Sequence, residues 1–212
     1  METGREIFNQ FLRGGPLSRA AFVPLLRGVT SRVEGRSREE LNADPTLWAN
    51  ALAKTADLLN LDGIVAGFDA TVMPEACGCQ IGWKDDRPEI VAPVQELTES
   101  PESTGRMKSA LEAAKRVFQV CRDRRGCVFS LTGPVTLAER ILGSEQGSQR
   151  VGETKQLLVT AVEASCQIRP DLLVFIEERP LGEVESVSQH RRIYNTLKNI
   201  ASHYDIPAAL YL

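Results

Sequence analysis

The strongest indication of the fold class is the stretch Leu61-Asp-Gly-Ile-Val-Ala-Gly-Phe-Asp69, continued by Ala-Thr-Val-Met-Pro-Glu-Ala-Cys-Gly-Cys-Gln-Ile-Gly-Trp83. Its apolar run at 62–68 predicts a buried strand. The sixteen residues from Phe68 to Trp83 then contain an acid, a Pro-Glu pair, two cysteines and a tryptophan. Such a concentration of reactive and binding side chains after a strand is more typical of a functional site than of a linker.

Along the rest of the chain, short apolar runs of strand length alternate with segments whose apolar residues recur at helical spacing. Strands are predicted at 20–26, 64–68, 127–131, 171–176 and 206–212. Helices are predicted around 45–60, 107–121, 135–143, 157–166 and 187–200. Residues 27–38 and 144–148 are predicted to be loops. Strands that alternate with helices predict a parallel sheet and the α/β class.

Two kinds of α/β fold compete for this pattern. No Gly-x-Gly-x-x-Gly follows the first strand and no P-loop is present, so a dinucleotide-binding fold is unsupported. A TIM-type barrel places functional side chains directly after its strands, and Asp69, Thr132 and the pair Glu177-Glu178 occur there. We therefore predict an incomplete TIM-barrel-type (β/α) fold with about five of the eight strands that a complete barrel has.

The chain is predicted to form one domain over residues 1–212. An N-terminal extension covers about 1–19, and a long loop covers about 69–103. The loop contains Pro74, Pro88, Pro93 and Pro101, which exclude a long helix. Loops of this length in a compact domain are usually functional or disordered, and the aromatic and cysteine content favours an ordered one.

Composition narrows the functional class. The formal net charge is −3 and the pI is about 5.6, which argues against a nucleic-acid partner. No apolar run approaches the roughly 18 residues of a membrane span, and the N-terminus lacks the apolar core of a signal peptide. The five cysteines do not show the spacing of a disulfide framework, which favours free thiols in the cytoplasm. Most of the basic residues are arginines, which suit either an anionic ligand or a solvated surface.

Three segments resemble a known family. They are 61–69, the excursion Glu75-Ala-Cys-Gly-Cys-Gln-Ile-Gly-Trp83 with the following Pro88-Glu-Ile-Val, and Thr132-Gly-Pro-Val-Thr-Leu-Ala-Glu-Arg-Ile-Leu-Gly143. Together they resemble the uroporphyrinogen decarboxylase superfamily, and most of all its branch that includes the cobalamin-dependent methyltransferases. The resemblance extends over about residues 20–212 and implies a barrel that is short at its C-terminus.

The resemblance implies roles for individual residues. Asp69 matches the acid that binds the pyrrole nitrogens in the decarboxylases, a task that suits a carboxylate because it accepts several N–H bonds.

Glu178 is the second catalytic candidate, since adjacent residues of a strand face opposite sides and only one of Glu177 and Glu178 can face the barrel mouth. Ligand contacts are predicted for Phe68, Thr132, Arg140 and Trp83. For Trp83, an anchor that holds a loop on the barrel rim is an equal alternative.

The chain also departs from the family pattern. A tyrosine of the decarboxylases would fall near Arg140, and their paired arginines are echoed only by Arg27 and Arg32, at the wrong spacing. The His-x-Cys zinc motif of the methyltransferases does not follow the strand at 208–212. No metal site is therefore predicted. Cys77 and Cys79 form an isolated Cys-x-Cys, which we interpret as structural thiols rather than a metal pair.

The two histidines, His190 and His203, are expected to face solvent rather than to bind a metal. Asp85 and Asp86 are expected to form a solvated turn. Replacement of Asp69 by alanine is expected to weaken ligand binding with little change in melting temperature.

These considerations favour a protein of this superfamily related to corrinoid-dependent methyl transfer. A decarboxylase that acts on a tetrapyrrole is one alternative, and a non-catalytic truncated paralogue that binds a partner is another. The implied ligand is a small molecule, a tetrapyrrole or a corrinoid such as cobalamin, and the implied partners are a corrinoid protein or a second copy that pairs through open sheet edges. No nucleic-acid or membrane partner is expected.

Overall fold

The computed structural model describes residues 2–26, 28–67, 69–94, 97–98, 100–180 and 187–212. Its helices are α1 (Gly4–Leu12), α2 (Val29–Glu34), α3 (Arg38–Ala43), α4 (Pro45–Leu58), α5 (Val72–Ala76), α6 (Gly105–Cys121), α7 (Pro134–Leu142), α8 (Ser144–Gln149), α9 (Lys155–Gln167) and α10 (Val187–His203). Its strands are β1 (Gly63–Ala66), β2 (Gln80–Lys84), β3 (Arg87–Ala92), β4 (Gly126–Thr132), β5 (Leu172–Ile176) and β6 (Ala208–Tyr211). None of the helices in these ranges is both long and apolar enough to cross a membrane.

The main sheet is parallel and contains β1, β4, β5 and β6 in that spatial order. Its register pairs Ala66 with Phe129 and Thr132 with Ile176, so the carboxyl ends of the strands lie along one edge. Every residue of β4 is buried, as expected for a strand that is covered on both faces. Strands and helices alternate as predicted, and the four strands of the main sheet in the described ranges form an open sheet rather than a closed barrel.

The strand predicted at 20–26 is wrong, because this segment has no regular secondary structure and lies outside the sheet. It runs past the start of β1, where the amide of Asp62 donates to the carbonyl oxygen of Phe22 over 3.0 Å. Pro24 has no amide hydrogen to contribute to a ladder, which explains why the contact does not extend into a paired strand.

The loops predicted at 27–38 and 144–148 are also wrong, because they contain α2 and α8. Each helix has six residues, which is too short for a periodic apolar pattern to show in the sequence. Gly35 ends α2 in a left-handed conformation with φ of 69°. Arg27 lies outside the described residues.

Most of the segment 69–103 is regular structure rather than an irregular loop. It contains α5 and a hairpin in which β2 and β3 pair antiparallel. Pro74 is accommodated in the first turn of α5, and Pro88 lies in a two-stranded ribbon where its missing amide is tolerated. Asp85 and Asp86 form the turn with φ of 49° and 58°, which confirms the predicted turn.

The N-terminal segment packs beneath the sheet, at the end opposite to the carboxyl ends of the strands. Phe8 of α1 is buried against Val65 and Val128. Arg5 forms two hydrogen bonds with Asp171, which precedes β5. Asp62, which precedes β1, accepts from Arg19 Nη1 and Nη2 at 2.5 and 2.7 Å. Two carboxylates at the amino ends of strands thus hold this segment in place.

Replacement of Asp62 by asparagine should lower the free energy of unfolding at pH 7 by about 2 kcal/mol, because the bond to Arg19 is charged and the carboxylate is buried. The hydrogen bond from Arg19 lowers the pKa of Asp62 below its usual value and outweighs burial, which raises it. The stabilisation is therefore present above the unfolded-state pKa of about 3.9. It is lost as the pH falls through the lower folded-state pKa.

Urea unfolding at pH 7 and pH 3 measures this difference. The deficit of Asp62→Asn relative to the unmodified chain should shrink at pH 3. The exposed Asp123 provides the matched control, since Asp123→Asn should change stability little at either pH. An equal deficit at both pH values would contradict a role for the charge of Asp62.

Candidate functional site

A cleft of about 830 Å³ opens at the carboxyl ends of the parallel strands. Four of the predicted site residues line it, namely Asp69, Thr132, Arg140 and Glu178. The turn of the β2–β3 hairpin and residues of α2 and α3 complete its walls. Its volume lies within the roughly 300–1,000 Å³ that is usual for small-molecule and cofactor sites. Phe68, also predicted as a contact, lies outside the described residues.

A glycine at the end of β1 allows Asp69 to reach the cleft. Gly67 has φ of 80°, and a Cβ at this position would lie 2.7 Å from the carbonyl oxygen of Ser130 on β4. Any larger residue would clash with the neighbouring strand and would be strained in the left-handed region. The chain therefore turns sharply here and places Asp69 above the end of the sheet.

Asp69 is a buried carboxylate with a complete set of hydrogen-bond donors. Its Oδ1 accepts from the amide and the hydroxyl of Thr71 at 2.8 and 2.7 Å. Its Oδ2 accepts from Arg106 Nη1 at 3.0 Å and from Arg38 Nη2 at 3.3 Å. A carboxylate has about four lone-pair positions, so these four donors occupy all of them.

Arg106, in the first turn of α6, holds this cluster together. Its Nε donates to Glu75, and its Nη2 donates to the hydroxyl of Thr71 over 2.7 Å. Its guanidinium lies 5.2 Å from the centre of the Trp83 ring, in cation–π geometry. The structure therefore places Trp83 against Arg106 and outside the lining of the cleft, the arrangement that an anchoring role would require.

The two glutamates after β5 both line the cleft, and they differ in burial and in their hydrogen-bond partners. Glu177 is buried and accepts from the amides of Val135 and Thr136 at 3.0 and 2.7 Å, so it caps the N-terminus of α7. It also accepts from the hydroxyl of Tyr194, whose pKa is raised by burial and by this carboxylate.

Glu178 and Arg140 form an accessible pair at the rim of the cleft. Arg140 Nη2 and Nε donate to the Glu178 carboxylate at 2.5 and 3.3 Å. The Glu178 side chain is 45% exposed, so a ligand can approach it directly. Thr132 lines the cleft between Asp69 and this pair along the edge of the sheet. Glu178 is therefore accessible for proton transfer, whereas Glu177 is held by the scaffold.

Sequence reasoning assigned no site role to Arg38, Arg106 or Glu75, which come together around Asp69 only in the folded chain. Thr71 could have been recognised, because an aspartate two residues before a threonine often accepts from its amide in an Asx turn. The arginines could not, because many arginines in the chain have the same local appearance.

The cysteines and histidines lie away from this cleft. All five cysteines are buried free thiols, and burial raises the pKa of Cys77 to about 12. His203 is exposed as predicted, but His190 is buried, so the prediction that it faces solvent is wrong. Burial lowers the pKa of His190 and favours its neutral form. Across the described part of the chain, no group of three or more His, Cys, Asp or Glu residues is arranged to hold a metal ion.

The Thr132-Gly-Pro segment forms the turn between β4 and α7. Pro134 opens α7 at its first helical position, where no amide hydrogen is needed. A Cβ on Gly133 would lie 2.4 Å from the Cδ atom of Glu177, so glycine makes room for the capping carboxylate.

Replacement of Gly133 by alanine should lower the free energy of unfolding by about 2 kcal/mol, because the new methyl group forces Glu177 out of its cap position. Gly152→Ala is the matched control, since no atom lies within 4 Å of a Cβ there. Urea unfolding compares the two variants. Equal stabilities would show that Glu177 moves aside without loss.

Replacement of Asp69 by alanine should lower the free energy of unfolding by about 3 kcal/mol, because it leaves two largely buried guanidinium groups without their carboxylate. This revises the expectation from sequence that the melting temperature would hardly change. The added substitution Arg106→Met should recover part of the loss, with a coupling of at least about 1 kcal/mol.

A double-mutant cycle measured by thermal or urea unfolding checks this coupling. The exposed pair Arg150 and Glu153, whose side chains are 49% and 41% exposed, provides the control cycle and should couple weakly. Additive effects of Asp69→Ala and Arg106→Met would show that the two groups do not stabilise each other.

The comparisons with known proteins agree with this fold. Among solved structures, a methyltransferase from Methanosarcina mazei matches with a TM-score of 0.75 and 19% sequence identity, covering 99% of this chain and 69% of that one. No curated protein sequence matches the chain. At this identity the structural match supports the TIM-barrel-type fold and says nothing more. The model of the family described as uroporphyrinogen decarboxylase (URO-D) matches residues 3–168, which is more than half of the sequence. This chain, with its incomplete TIM-barrel-type sheet, therefore belongs to the uroporphyrinogen decarboxylase (URO-D) family.

Proposed function

We propose that this chain binds a corrinoid in the cleft and acts in corrinoid-dependent methyl transfer in the cytoplasm. The observation that carries the proposal is the cleft itself, with a buried carboxylate at its base and arginines on its walls. The methyltransferase neighbour of the same fold supports the choice of reaction.

The size and charge of the cleft suit a large cofactor with a polar periphery. Arg32 and Arg87 line the cleft and are exposed, and within the described ranges neither side chain forms a hydrogen bond or an ion pair. Their guanidinium groups are therefore available to the amide, phosphate or carboxylate groups of a corrinoid or another tetrapyrrole. The volume of about 830 Å³ admits a ligand of this class at least in part.

The roles of the residues follow from their environments. A bound corrinoid would supply the cobalt centre that carries the methyl group. Asp69 would orient the ligand by accepting a hydrogen bond from it, and Glu178 would accept or deliver a proton at the acceptor, because it is accessible and paired with Arg140. The described residues do not provide a zinc site, so no role is assigned to zinc.

Decarboxylation of a tetrapyrrole is the second candidate, and one observation favours it. Arg32 and Arg38 both line the cleft, so two arginines face the ligand site although their spacing differs from the family motif. Asp69 also suits pyrrole N–H donors. Arg140 near the expected tyrosine position argues against this candidate, because a guanidinium cannot replace a phenol as a proton donor.

A partner would complete either reaction. In methyl transfer, we propose that a corrinoid protein delivers the cofactor to the cleft. Self-association through β6 is the other proposal, because this outer strand of the described sheet exposes 40% of Leu210 and 50% of Tyr211.

Titration of the purified chain with aquacobalamin and with uroporphyrinogen tests the proposal. Aquacobalamin should bind, with a change in its absorbance spectrum, and Arg32→Ala and Arg87→Ala should each weaken binding about fivefold, equivalent to about 1 kcal/mol. The exposed Arg191, which lies on α10 away from the cleft, gives the control Arg191→Ala.

The pattern of binding separates the candidates. Binding and turnover of uroporphyrinogen without binding of cobalamin would favour the decarboxylase. Binding of neither would overturn both and leave a non-catalytic paralogue.

A further inference from the structure

The carboxylate of Asp69 has no free acceptor position. Thr71, Arg106 and Arg38 together provide four donors, one for each lone-pair direction. Any ligand that donates a hydrogen bond to Asp69 must therefore replace one of these donors. The identity of that donor determines how the site opens.

Three of the four donors are firmly held. Both bonds from Thr71 come from a residue two positions along the chain and form a closed local turn. Arg106 is fixed by Glu75, by Thr71 and by the face of Trp83, and its side chain is only 10% exposed. Loss of the Arg106 bond would disturb all of these contacts.

Arg38 is the donor that can leave. Its contact with Asp69, at 3.3 Å, is the longest of the four. Its side chain is 17% exposed and lines the cleft, so water or the ligand can receive the displaced guanidinium. It donates to the same oxygen, Oδ2, as Arg106 does, so its departure leaves one acceptor direction open.

Arg38 also holds the turn of the β2–β3 hairpin. Its Nη1 donates to the carbonyl oxygen of Asp86 over 3.4 Å, and its amide donates to the Asp86 carboxylate over 2.5 Å. Ser31 adds a bond to the same carboxylate at 3.3 Å. One side chain thus links the buried acid to the tip of a hairpin that forms a wall of the cleft.

We propose that Arg38 is a displaceable positioning residue that competes with the ligand for Asp69 and couples the occupancy of Asp69 to the position of the hairpin tip. When a ligand donor takes the place of Nη2, the guanidinium leaves Asp69 and its bond to Asp86 changes with it. The hairpin wall then adjusts to the bound ligand. This inference rests on the proposed function only in assuming that the ligand donates a hydrogen bond to Asp69.

Hydrogen exchange of the free chain tests the coupling without any ligand. Arg38→Met removes the guanidinium but keeps a long side chain, and it should accelerate amide exchange in residues 80–92 about threefold to tenfold. Asp69→Asn should accelerate it too, because the neutral amide no longer holds Arg38. Arg32→Met is the matched control, since Arg32 lines the same cleft without a contact to Asp69 or Asp86 among the described residues. Arg38→Lys should restore part of the protection.

Ligand affinity tests the competition. Arg38→Met should bind aquacobalamin about threefold more tightly than the unmodified chain, because the competing donor is gone. A purely structural role for Arg38 would not strengthen binding. Weaker binding by Arg38→Met would overturn the competition and make Arg38 a direct ligand contact.

The two measurements separate this inference from the proposed function. Unchanged hairpin exchange in Arg38→Met would overturn the coupling whatever the ligand does. Accelerated exchange in both Arg38→Met and Asp69→Asn, with neither tetrapyrrole bound by the unmodified chain, would uphold the coupling while overturning the competition and the proposed function.

Discussion

Parallel pairing of the strands determines where the cleft forms and which side chains line it. Because β1, β4 and β5 run in the same direction in a fixed register, their carboxyl ends must meet along one edge. That edge brings Asp69, Thr132 and Glu178 to one cleft although 109 positions separate the first from the last in the sequence. The same geometry puts carboxylates into a poorly solvated place, where each one needs compensation.

The groups that neutralise or hydrogen-bond the carboxylate differ among Glu177, Asp69 and Glu178. This difference distinguishes the carboxylate that stabilises the fold from those available to a ligand. Backbone amides of α7 and the hydroxyl of Tyr194 satisfy Glu177, which therefore stabilises the strand-to-helix turn. Arginines satisfy Asp69, and an arginine can be exchanged where a backbone amide cannot. Glu178 is compensated by Arg140 and by solvent, which leaves it the most accessible of the three.

Local signals explain which parts of the fold could be predicted. Long helices and buried strands have a clear apolar period, and Asp44 followed by Pro45 marks the start of α4 because the carboxylate caps the amides of Thr46 and Leu47. Short elements such as α2 and α8 lack this period. The wrong strand at 20–26 shows that an apolar segment can run beside a sheet without joining its ladder.

The candidate site could be predicted only in part, for a different physical reason. Asp69 and Glu178 follow strands, so their positions are set by local chain order and strand direction. Arg106 and Arg38 reach Asp69 from 37 and 31 positions away, through tertiary contacts with no local signature. The wrong prediction for His190 has another cause. His190 lies three residues before Ile193 and seven before Leu197, on the apolar face of α10, and this spacing could have indicated its burial.

The contact between Arg106 and Trp83 makes the buried cluster observable by optical methods. The chain has two tryptophans, and the other, Trp48 on α4, is buried in the hydrophobic core. The emission of Trp83 depends on the charge that lies 5.2 Å from its ring, whereas Trp48 has no cation over its face among the described residues. Trp83 lies next to the acid cluster and can report on it, whereas Trp48 lies in the core and serves as a reference. Movement of Arg106 would change the fluorescence of Trp83 but not that of Trp48.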